Sequence, residues 1–277
     1  MPRNDGIALF LYNAVMSNCR FYNPDNLKIS ATVKLSDNAA THATRVLRLE
    51  ISDEIVLFNG DGNDYTCAIT SIKTKSKNSE VLVIVKSVVK ITNESLLNIT
   101  LLQGISSGDR MDYTIQKAVE LGVTSIVPIV TTRSVVKLSN ERAEKRLAHW
   151  QNVVIAACEQ SGRAFVPTVH APVQLSAWLG ANIHEGASDT KIKTLKNNDK
   201  PVRILLNPIG QKQLSTLPKT TQNIQLLIGA EGGLSQAEID LATNHGFLSV
   251  VLGPRILRTE TAALTAISVL QTVLGDF

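Results

Sequence analysis

Two short apolar runs near the end of the chain, each followed by a glycine-containing loop, constrain the fold more than any other feature of the sequence. Residues 226–228 precede the loop 229–233 (GAEGG), and residues 250–252 precede the loop 253–258 (GPRILR). Short apolar runs that end in glycine are typical of buried strands. A capping-box pattern (SQAE) between the loops predicts that a helix starts at Ser235. The predicted order is strand, loop, helix, strand, loop, helix, with both loops at the end of a parallel sheet where ligands bind.

The two loops combine backbone freedom with charged side chains. Glycine lets a flat ligand approach backbone N–H and C=O groups directly. Glu231, Arg258 and Glu260 add two carboxylates and a guanidinium at positions where turn formation alone needs no charge. The spacing by itself is equally compatible with two ordinary strand-to-helix turns. Neither loop contains G-x-G-x-x-G or G-x-x-x-x-G-K-[ST], which disfavours a dinucleotide enzyme or a P-loop protein.

The same stretch closely resembles the C-terminal signature of the 16S ribosomal RNA uracil-N3 methyltransferases, a family of the SPOUT class. The blocks LLIGAEGGLS and LGPRILRTETAALTAI carry the resemblance, with one departure at Ala230, where the family usually has proline. The resemblance implies that the loops tie a deep trefoil knot that binds S-adenosylmethionine; spacing alone does not predict a knot, because threaded chains are very rare. The cofactor-binding residues that it implies are Leu206, Ile228, Gly229, Glu231, Gly232, Gly233, Leu252, Gly253, Ile256, Leu257, Arg258, Thr261 and Ala262.

The resemblance also implies a reaction, the methylation of N3 of a uridine in 16S rRNA. Methyl transfer from a sulfonium needs no metal and no covalent intermediate, and much of its rate comes from positioning. The uracil imide must lose a proton, so a carboxylate could accept it or a cation could stabilise the developing anion. Glu231 and Glu260 are the candidate carboxylates and Arg258 is the first candidate cation, and the sequence does not choose among them. The N3 edge is the base-pairing edge, so the target base must be unpaired or flipped out.

The composition is that of an ordinary globular protein with room for two domains. The chain has 277 residues, of which 44% are hydrophobic and 19% charged. A net charge of +4 is compatible with an RNA partner but does not demonstrate one. The sequence contains no apolar run near the ~20 residues that a membrane span needs. Three widely separated cysteines form no metal or disulfide spacing, which favours a reducing, cytoplasmic location.

The N-terminal part of the chain is predicted to be a leader followed by a small β-barrel. Residues 1–18 are interpreted as a leader without fixed structure, and residues 19–90 as the barrel, with a hairpin turn at 60–63 (GDGN). A short helix is predicted at 37–49. Its segment HATRVLRL resembles the family's HxxRVLR element, which implies a PUA-like RNA-binding domain. The RNA-binding residues proposed for this domain are Arg20, Arg45 and Arg48; a solvated cationic face would explain the same residues without RNA.

The rest of the chain is predicted to be an α/β domain. Residues 91–97 are interpreted as a linker, and residues 98–277 alternate strands and helices, which is typical of a mostly parallel sheet. The blocks QKAVELGVTSIVPIVTTRS and AACEQSGR resemble further family blocks and add Arg133 and Arg163 as candidate RNA contacts. The last predicted helix, 260–274, is apolar nearly all round, which favours a homodimer through this domain.

Two other functions remain open at this stage. Another SPOUT methyltransferase, acting on a tRNA base or a ribose, would share the glycine loops but should lack the N-terminal barrel. A non-catalytic RNA-binding assembly factor would keep the fold, although the presence of Glu231, Arg258 and Glu260 argues against it. The leading prediction is a metal-independent rRNA methyltransferase whose partner is 16S rRNA or the small ribosomal subunit.

Overall fold

The computed structural model describes residues 19–74, 79–134, 140–181, 200–210, 212–214, 217–218 and 220–277. The predicted leader therefore lies outside the described residues. The chain divides into two compact units. The first contains the described residues as far as Glu94 together with Cys158–Val166, and the second contains Ser95–Ala157 and Pro167–Phe277. A nine-residue segment that sequence analysis assigned to the second domain thus belongs to the first unit.

The first unit is built on one small β-sheet. Its strands are β1 (Arg20–Tyr22), β2 (Thr32–Lys34), β3 (Glu54–Phe58), β4 (Asn63–Thr74) and β5 (Ser79–Lys90). They are ordered β1-β3-β4-β5-β2; β1 is parallel to β3, and the other pairs are antiparallel. The predicted hairpin turn joins β3 to β4, and it needs glycine because Gly60 and Gly62 have φ angles of 91° and 88°. Buried apolar side chains of the strands, such as Ile55, Leu57 and Val83, form the core.

A short helix lies between β2 and β3 in the sequence, and it is shorter than predicted. Helix α1 (Asp37–Thr41) starts at Ser36, whose hydroxyl oxygen accepts a hydrogen bond from the backbone N–H of Ala39. A π-helical turn, His42–Val46, continues it. The predicted helix extended to residue 49, but Arg48 has a φ angle of 55°, and a residue in this left-handed region cannot continue a right-handed helix.

The second unit contains a parallel sheet flanked by helices, as the sequence predicted. Its elements are β6 (Asn98–Gly104), α2 (Asp109–Glu120), β7 (Ser125–Val130), α3 (Asn140–Ser161, whose last residues count with the first unit), β8 (Thr168–Val169), β9 (Val173–Gln174), α4 (Leu175–Ala181), β10 (Val202–Leu206), β11 (Asn223–Ile228), α5 (Gln236–Asn244), β12 (Leu248–Val250) and α6 (Thr259–Leu274). The sheet order is β12-β10-β11-β6-β7-β8, with β9 also beside β7, and every recorded pairing is parallel.

The strand order brings the two glycine loops to one edge of the sheet. β10 lies between β11 and β12 and is parallel to both, so the loops that follow these three strands emerge on the same side. The predicted capping box is present at Ser235, which exchanges hydrogen bonds with Glu238 at the start of α5. The strand predicted at 250–252 lies instead at Leu248–Val250. Its register with β10 ends at the pair Leu206 and Val250, and the Val251 N–H donates to the Lys212 carbonyl oxygen at 3.0 Å.

The last helix packs one face against its own unit. Ala263, Ala266, Ile267 and Leu270 are buried, whereas Leu264 on another face is only partly covered. The predicted homodimer and the predicted trefoil knot both stay predictions. Among the helices of the described residues, none is long and apolar enough to cross a membrane.

Candidate functional site

A cavity of about 680 Å³ opens where the loops after β10, β11 and β12 meet the start of α6. Every predicted cofactor-binding residue except Thr261 lines this cavity, and so do the three candidate catalytic residues Glu231, Arg258 and Glu260. Thr261 is exposed and lies outside the lining. Residues that sequence reasoning did not select also contribute, among them Arg110, Ile209 and Thr259. The structure therefore brings together the two loops that the sequence analysis selected for their glycines.

The glycines of the first loop are needed for close packing of the protein itself. A Cβ atom on Gly229 would lie 2.7 Å from the carbonyl carbon of Gly233, and one on Gly104, at the end of β6, would lie 2.3 Å from the backbone nitrogen of Ala230. Distances this short are not tolerated between non-bonded atoms. Gly253 in the second loop differs, because its φ angle of 120° is what requires glycine there.

The Glu231 carboxylate is held by the segment that follows β6. Its Oε1 accepts hydrogen bonds from the Ser107 N–H at 2.8 Å and from the Ser107 hydroxyl at 2.9 Å, and it forms an ion pair with Arg110 at 3.3 Å. Partial burial raises the pKa of Glu231, but the hydrogen bonds to its carboxylate and the charge of Arg110 outweigh that effect, so the pKa lies below its ordinary value. Glu231 is thus stabilised as an anion and is a weak base.

A second tether holds the end of the first glycine loop. The Arg133 guanidinium donates from one nitrogen to the carbonyl oxygens of Gly232 and Leu234, at 3.1 and 3.3 Å. The neighbouring Thr132 N–H donates to Glu238 at 2.8 Å. Arg133 was predicted to contact RNA; its side chain is exposed and lines the cavity, and its observed contacts are to the loop backbone.

The other two candidate catalytic residues lie at the start of the last helix, and each has hydrogen-bonding capacity that the described residues do not fill. Arg258 is exposed at the N-cap position, and its guanidinium has no recorded hydrogen bond or ion pair to the described residues. Glu260 is partly buried, and its Oε2 atom is buried without a hydrogen-bond donor in the part of the chain that the structure describes. This oxygen is therefore a buried acceptor that no described residue satisfies.

Thr259 lines the cavity, and the buried Gln103 contacts it. Neither residue was selected from the sequence. The Gln103 side-chain amide donates to the Thr259 hydroxyl oxygen at 2.9 Å, and the Thr259 hydroxyl donates to the Gly229 carbonyl oxygen at 2.6 Å. The available signal was a polar residue, Gln103, at the end of an otherwise apolar strand directly before a glycine.

The arginines predicted to bind RNA fall into two groups. Arg45 and Arg48 are exposed on the first unit. Arg20 and Arg163 are 7% and 5% exposed. This burial argues against the predicted RNA contact for Arg20 and Arg163.

Both buried arginines are fully engaged inside the first unit. Arg20 pairs with Asp64 at 2.6 Å and also donates to the Cys158 carbonyl oxygen at 2.7 Å. Arg163 pairs with Glu94 at 2.6 Å. An RNA phosphate would have to reach a buried guanidinium and displace its partly buried carboxylate partner in each case. We therefore correct the assignment of these two residues: they attach Cys158–Val166 to the first unit.

Comparison with family models defines the class of protein. Residues 93–271 match the model of an RNA methyltransferase domain, and residues 35–82 match the model of an RNA methyltransferase PUA domain. The fold and the cavity are thus those of an RNA methyltransferase of the SPOUT class with an N-terminal PUA domain, which confirms the predicted fold class.

The relatives narrow the class to one family. The chain is 32% identical over 260 residues to the ribosomal RNA small subunit methyltransferase E of Buchnera aphidicola subsp. Acyrthosiphon pisum, covering 93% of this chain and 94% of the relative. It is 30% identical over 250 residues to the protein of the same name from Bacillus subtilis, with coverages of 87% and 90%. The chain belongs to the ribosomal RNA small subunit methyltransferase E family.

Two solved structures with high similarity contain the cofactor. One, from Legionella pneumophila, is in complex with bound SAM; it is 38% identical with a TM-score of 0.82, covering 94% of this chain and 99% of that one. The other, ribosomal RNA small subunit methyltransferase E from Neisseria gonorrhoeae bound to S-adenosyl methionine, is 40% identical with a TM-score of 0.79 and the same coverages.

Proposed function

We propose that this protein transfers a methyl group from S-adenosylmethionine to N3 of a uridine in 16S rRNA. The observation that carries the proposal is the cavity between the two glycine loops, lined by Glu231, Arg258 and Glu260. Relatives that are 38% and 40% identical hold S-adenosylmethionine, and the family is named for methylation of small-subunit rRNA. We also propose a cytoplasmic location, as expected for an enzyme that acts on rRNA.

The residues of the cavity fit this cofactor. A volume of about 680 Å³ lies in the range of roughly 300–1,000 Å³ for small-molecule sites. Backbone of the glycine loops and apolar side chains such as Leu206, Ile228 and Leu252 suit a flat adenine ring. The carboxylate of Glu231, which lines the cavity, suits the positive charges that this cofactor carries.

Glu260 is the carboxylate that we assign to the proton on uracil N3. S-adenosylmethionine supplies a methyl group that its sulfonium already activates. The protein has to orient the uracil and take its proton. Glu231 is poorly suited, because three donors from Ser107 and Arg110 stabilise its anion. Glu260 lines the same cavity, and no described residue donates a hydrogen bond to its Oε2. Its carboxylate is therefore less stabilised as an anion than that of Glu231, and we propose it as the base.

Arg258 is the cation that we assign to the developing uracil anion. Its guanidinium is exposed, lines the cavity and precedes Glu260 by two residues. A positive charge next to O2 or O4 of the base stabilises the anion that forms as N3 loses its proton. The base reacts through its pairing edge, so we propose an unpaired or flipped-out uridine as the substrate.

The RNA-binding surface is assigned to the PUA domain and to exposed arginines. Arg45 and Arg48 lie on the first unit, within the segment that matches the PUA model, and each can contact a phosphate. We also propose that the second unit forms a homodimer through the partly covered face of α6. The PUA match distinguishes this chain from SPOUT methyltransferases that lack such a domain, which the sequence alone left as alternatives.

The identity of the methylated atom tests the proposed function. The full-length protein is incubated with labelled S-adenosylmethionine and either small ribosomal subunits from cells that lack this protein or naked 16S rRNA, and the RNA is digested to nucleosides. We expect 3-methyluridine by mass spectrometry. A ribose-methylated nucleoside, a methylated base other than uracil, or binding of the cofactor without any RNA methylation would each overturn the proposal.

A further inference from the structure

Gln103 and Thr259 join the two halves of the cavity through a buried chain of hydrogen bonds. Gln103 is the penultimate residue of β6 and is fully buried. Its Nε2 donates to Thr259 Oγ1 at 2.9 Å and to the Gly104 carbonyl oxygen at 3.1 Å. Thr259, the first residue of α6, donates its hydroxyl proton to the Gly229 carbonyl oxygen at 2.6 Å. The chain thus runs from the sheet, through the start of the last helix, to the first glycine loop.

The direction of every hydrogen bond in this chain is fixed by chemistry. A threonine hydroxyl has one proton, and Thr259 gives it to the Gly229 carbonyl, which can only accept. The Thr259 oxygen must then accept from the Gln103 amide. The second neighbour of that amide, the Gly104 carbonyl, is also an acceptor. A flipped amide would place its oxygen against two acceptors, so only one orientation fits.

The chain of hydrogen bonds needs only two side chains, because β6 and the first glycine loop are in direct contact. A Cβ atom on Gly104 would lie 2.6 Å from the Gly229 carbonyl carbon, so the absence of a side chain lets the loop backbone approach β6. Gly229 and Thr259 both line the cavity. A displacement of either residue therefore changes the wall formed by the first glycine loop and the wall formed by the start of α6.

We propose that Gln103 and Thr259 are positioning residues for the cofactor site. By fixing the Gly229 carbonyl relative to the start of α6, they hold the first glycine loop at a set distance from Arg258 and Glu260. Neither residue needs to touch the reacting atoms. The inference rests on the proposed function, since it concerns the same S-adenosylmethionine site.

The test compares near-isosteric variants of the full chain by calorimetric titration with S-adenosylmethionine. Thr259→Val removes the hydroxyl, and Gln103→Glu replaces the donor amide by a carboxylate that faces two acceptors. We expect each to raise the cofactor Kd by about tenfold or more, the value of one to two hydrogen bonds. Thr259→Ser keeps the hydroxyl and should stay within about threefold of wild type, since it keeps both hydrogen bonds. If Gln103→Glu does not fold, Gln103→Met removes the donor without adding a charge.

A matched control lies at the other end of the same helix. Gln271 is equally buried; its amide donates to the Leu121 carbonyl oxygen at 2.9 Å and accepts from the Ser95 hydroxyl at 2.7 Å. Gln271→Met should lower the melting temperature and leave the cofactor Kd within about twofold, because it removes hydrogen bonds far from the cavity.

Three outcomes would contradict either the positioning role or the proposed function. Wild-type affinity in Thr259→Val overturns the positioning role while leaving the proposed function intact. Equal effects of Thr259→Val and Gln271→Met on Kd also overturn it, because the chain would then act only through overall stability. Failure of the folded wild-type protein to bind S-adenosylmethionine overturns the proposed function itself.

Discussion

Ser107 donates two hydrogen bonds to one oxygen of Glu231, from its backbone N–H at 2.8 Å and from its hydroxyl at 2.9 Å. The two residues are 124 positions apart in the sequence. Their contact connects the loop that follows β6 to the first glycine loop. It assigns Glu231 to holding the cavity wall, although the residue was selected from the sequence as a candidate base.

The Ser107–Glu231 contact predicts a pH-dependent contribution to stability. The folded-state pKa of Glu231 is lowered, so its contribution is present above the unfolded-state value of about 4.5 and is lost as the pH falls through the folded-state value. We expect Glu231→Gln to lower the free energy of unfolding by about 1 kcal/mol at pH 7. Urea unfolding at pH 7, 5 and 3 measures this, and the difference from wild type should shrink below pH 4.5.

The Ser107→Ala variant is the matched control for that experiment. It removes the hydroxyl donor and keeps the backbone N–H, so it should show a smaller loss with the same pH profile. A Glu231→Gln effect that stayed constant down to pH 3 would show that the charge of Glu231 contributes nothing to the fold.

Gly104 sets the approach of the first glycine loop to β6. We expect Gly104→Ala to displace this loop, because the added Cβ atom would lie 2.3 Å from the Ala230 nitrogen. Calorimetry should then show the loss of most S-adenosylmethionine binding. Gly180→Ala is the control: the space next to Gly180 in α4 has no described atom within 4 Å, and alanine favours a helix by up to about 1 kcal/mol. Normal cofactor binding by Gly104→Ala would contradict the close packing.

Loss of Arg20 should reduce the stability of the fold, whereas loss of Arg45 should reduce RNA binding. Arg20→Ala removes the buried arginine of the Arg20–Asp64 pair and leaves a partly buried carboxylate without its partner, so it should lower the free energy of unfolding by about 3 kcal/mol. Arg45→Ala, on the exposed surface, should leave stability within about 0.5 kcal/mol. It should weaken RNA binding and reduce its salt dependence by about one unit of slope.

Chemical denaturation and filter binding at several salt concentrations separate these effects. Reduced salt dependence of RNA binding in folded Arg20→Ala would restore the RNA contact that the structure argues against. Unchanged RNA binding in Arg45→Ala would remove Arg45 from the proposed interface.

Substitutions of Glu260 and Glu231 should slow the chemical step to different extents. Glu260→Gln cannot accept the N3 proton, so we expect single-turnover methylation at saturating cofactor to slow by roughly 10²–10⁴-fold. Glu231→Gln, measured in the same way, should slow this step much less, because its carboxylate is already occupied by Ser107 and Arg110. A wild-type single-turnover rate in Glu260→Gln would end its assignment as proton acceptor.

Local patterns predicted most of the secondary structure and the position of the candidate site. The hairpin turn at 60–63 and the helix start at Ser235 lie where they were predicted, because the turn glycines and the capping box are signals within one short segment. The predictions failed where the outcome depends on a partner strand or on an unusual backbone angle. The pairing of β12 with β10 ends at Val250, and Arg48 ends a helical segment through a positive φ angle.

The sequence by itself determined the family resemblance, the parallel α/β domain and the two glycine loops, because these depend on motifs and on periodicities within short segments. Only the tertiary structure decided which charged residues are available. Arg20 meets Asp64 44 residues away, and Gln103 meets Thr259 156 residues away. Contacts between residues so distant in sequence are set by the packing of whole elements. That packing buries two of the predicted RNA-binding arginines and leaves one buried oxygen of Glu260 without a hydrogen-bond donor among the described residues.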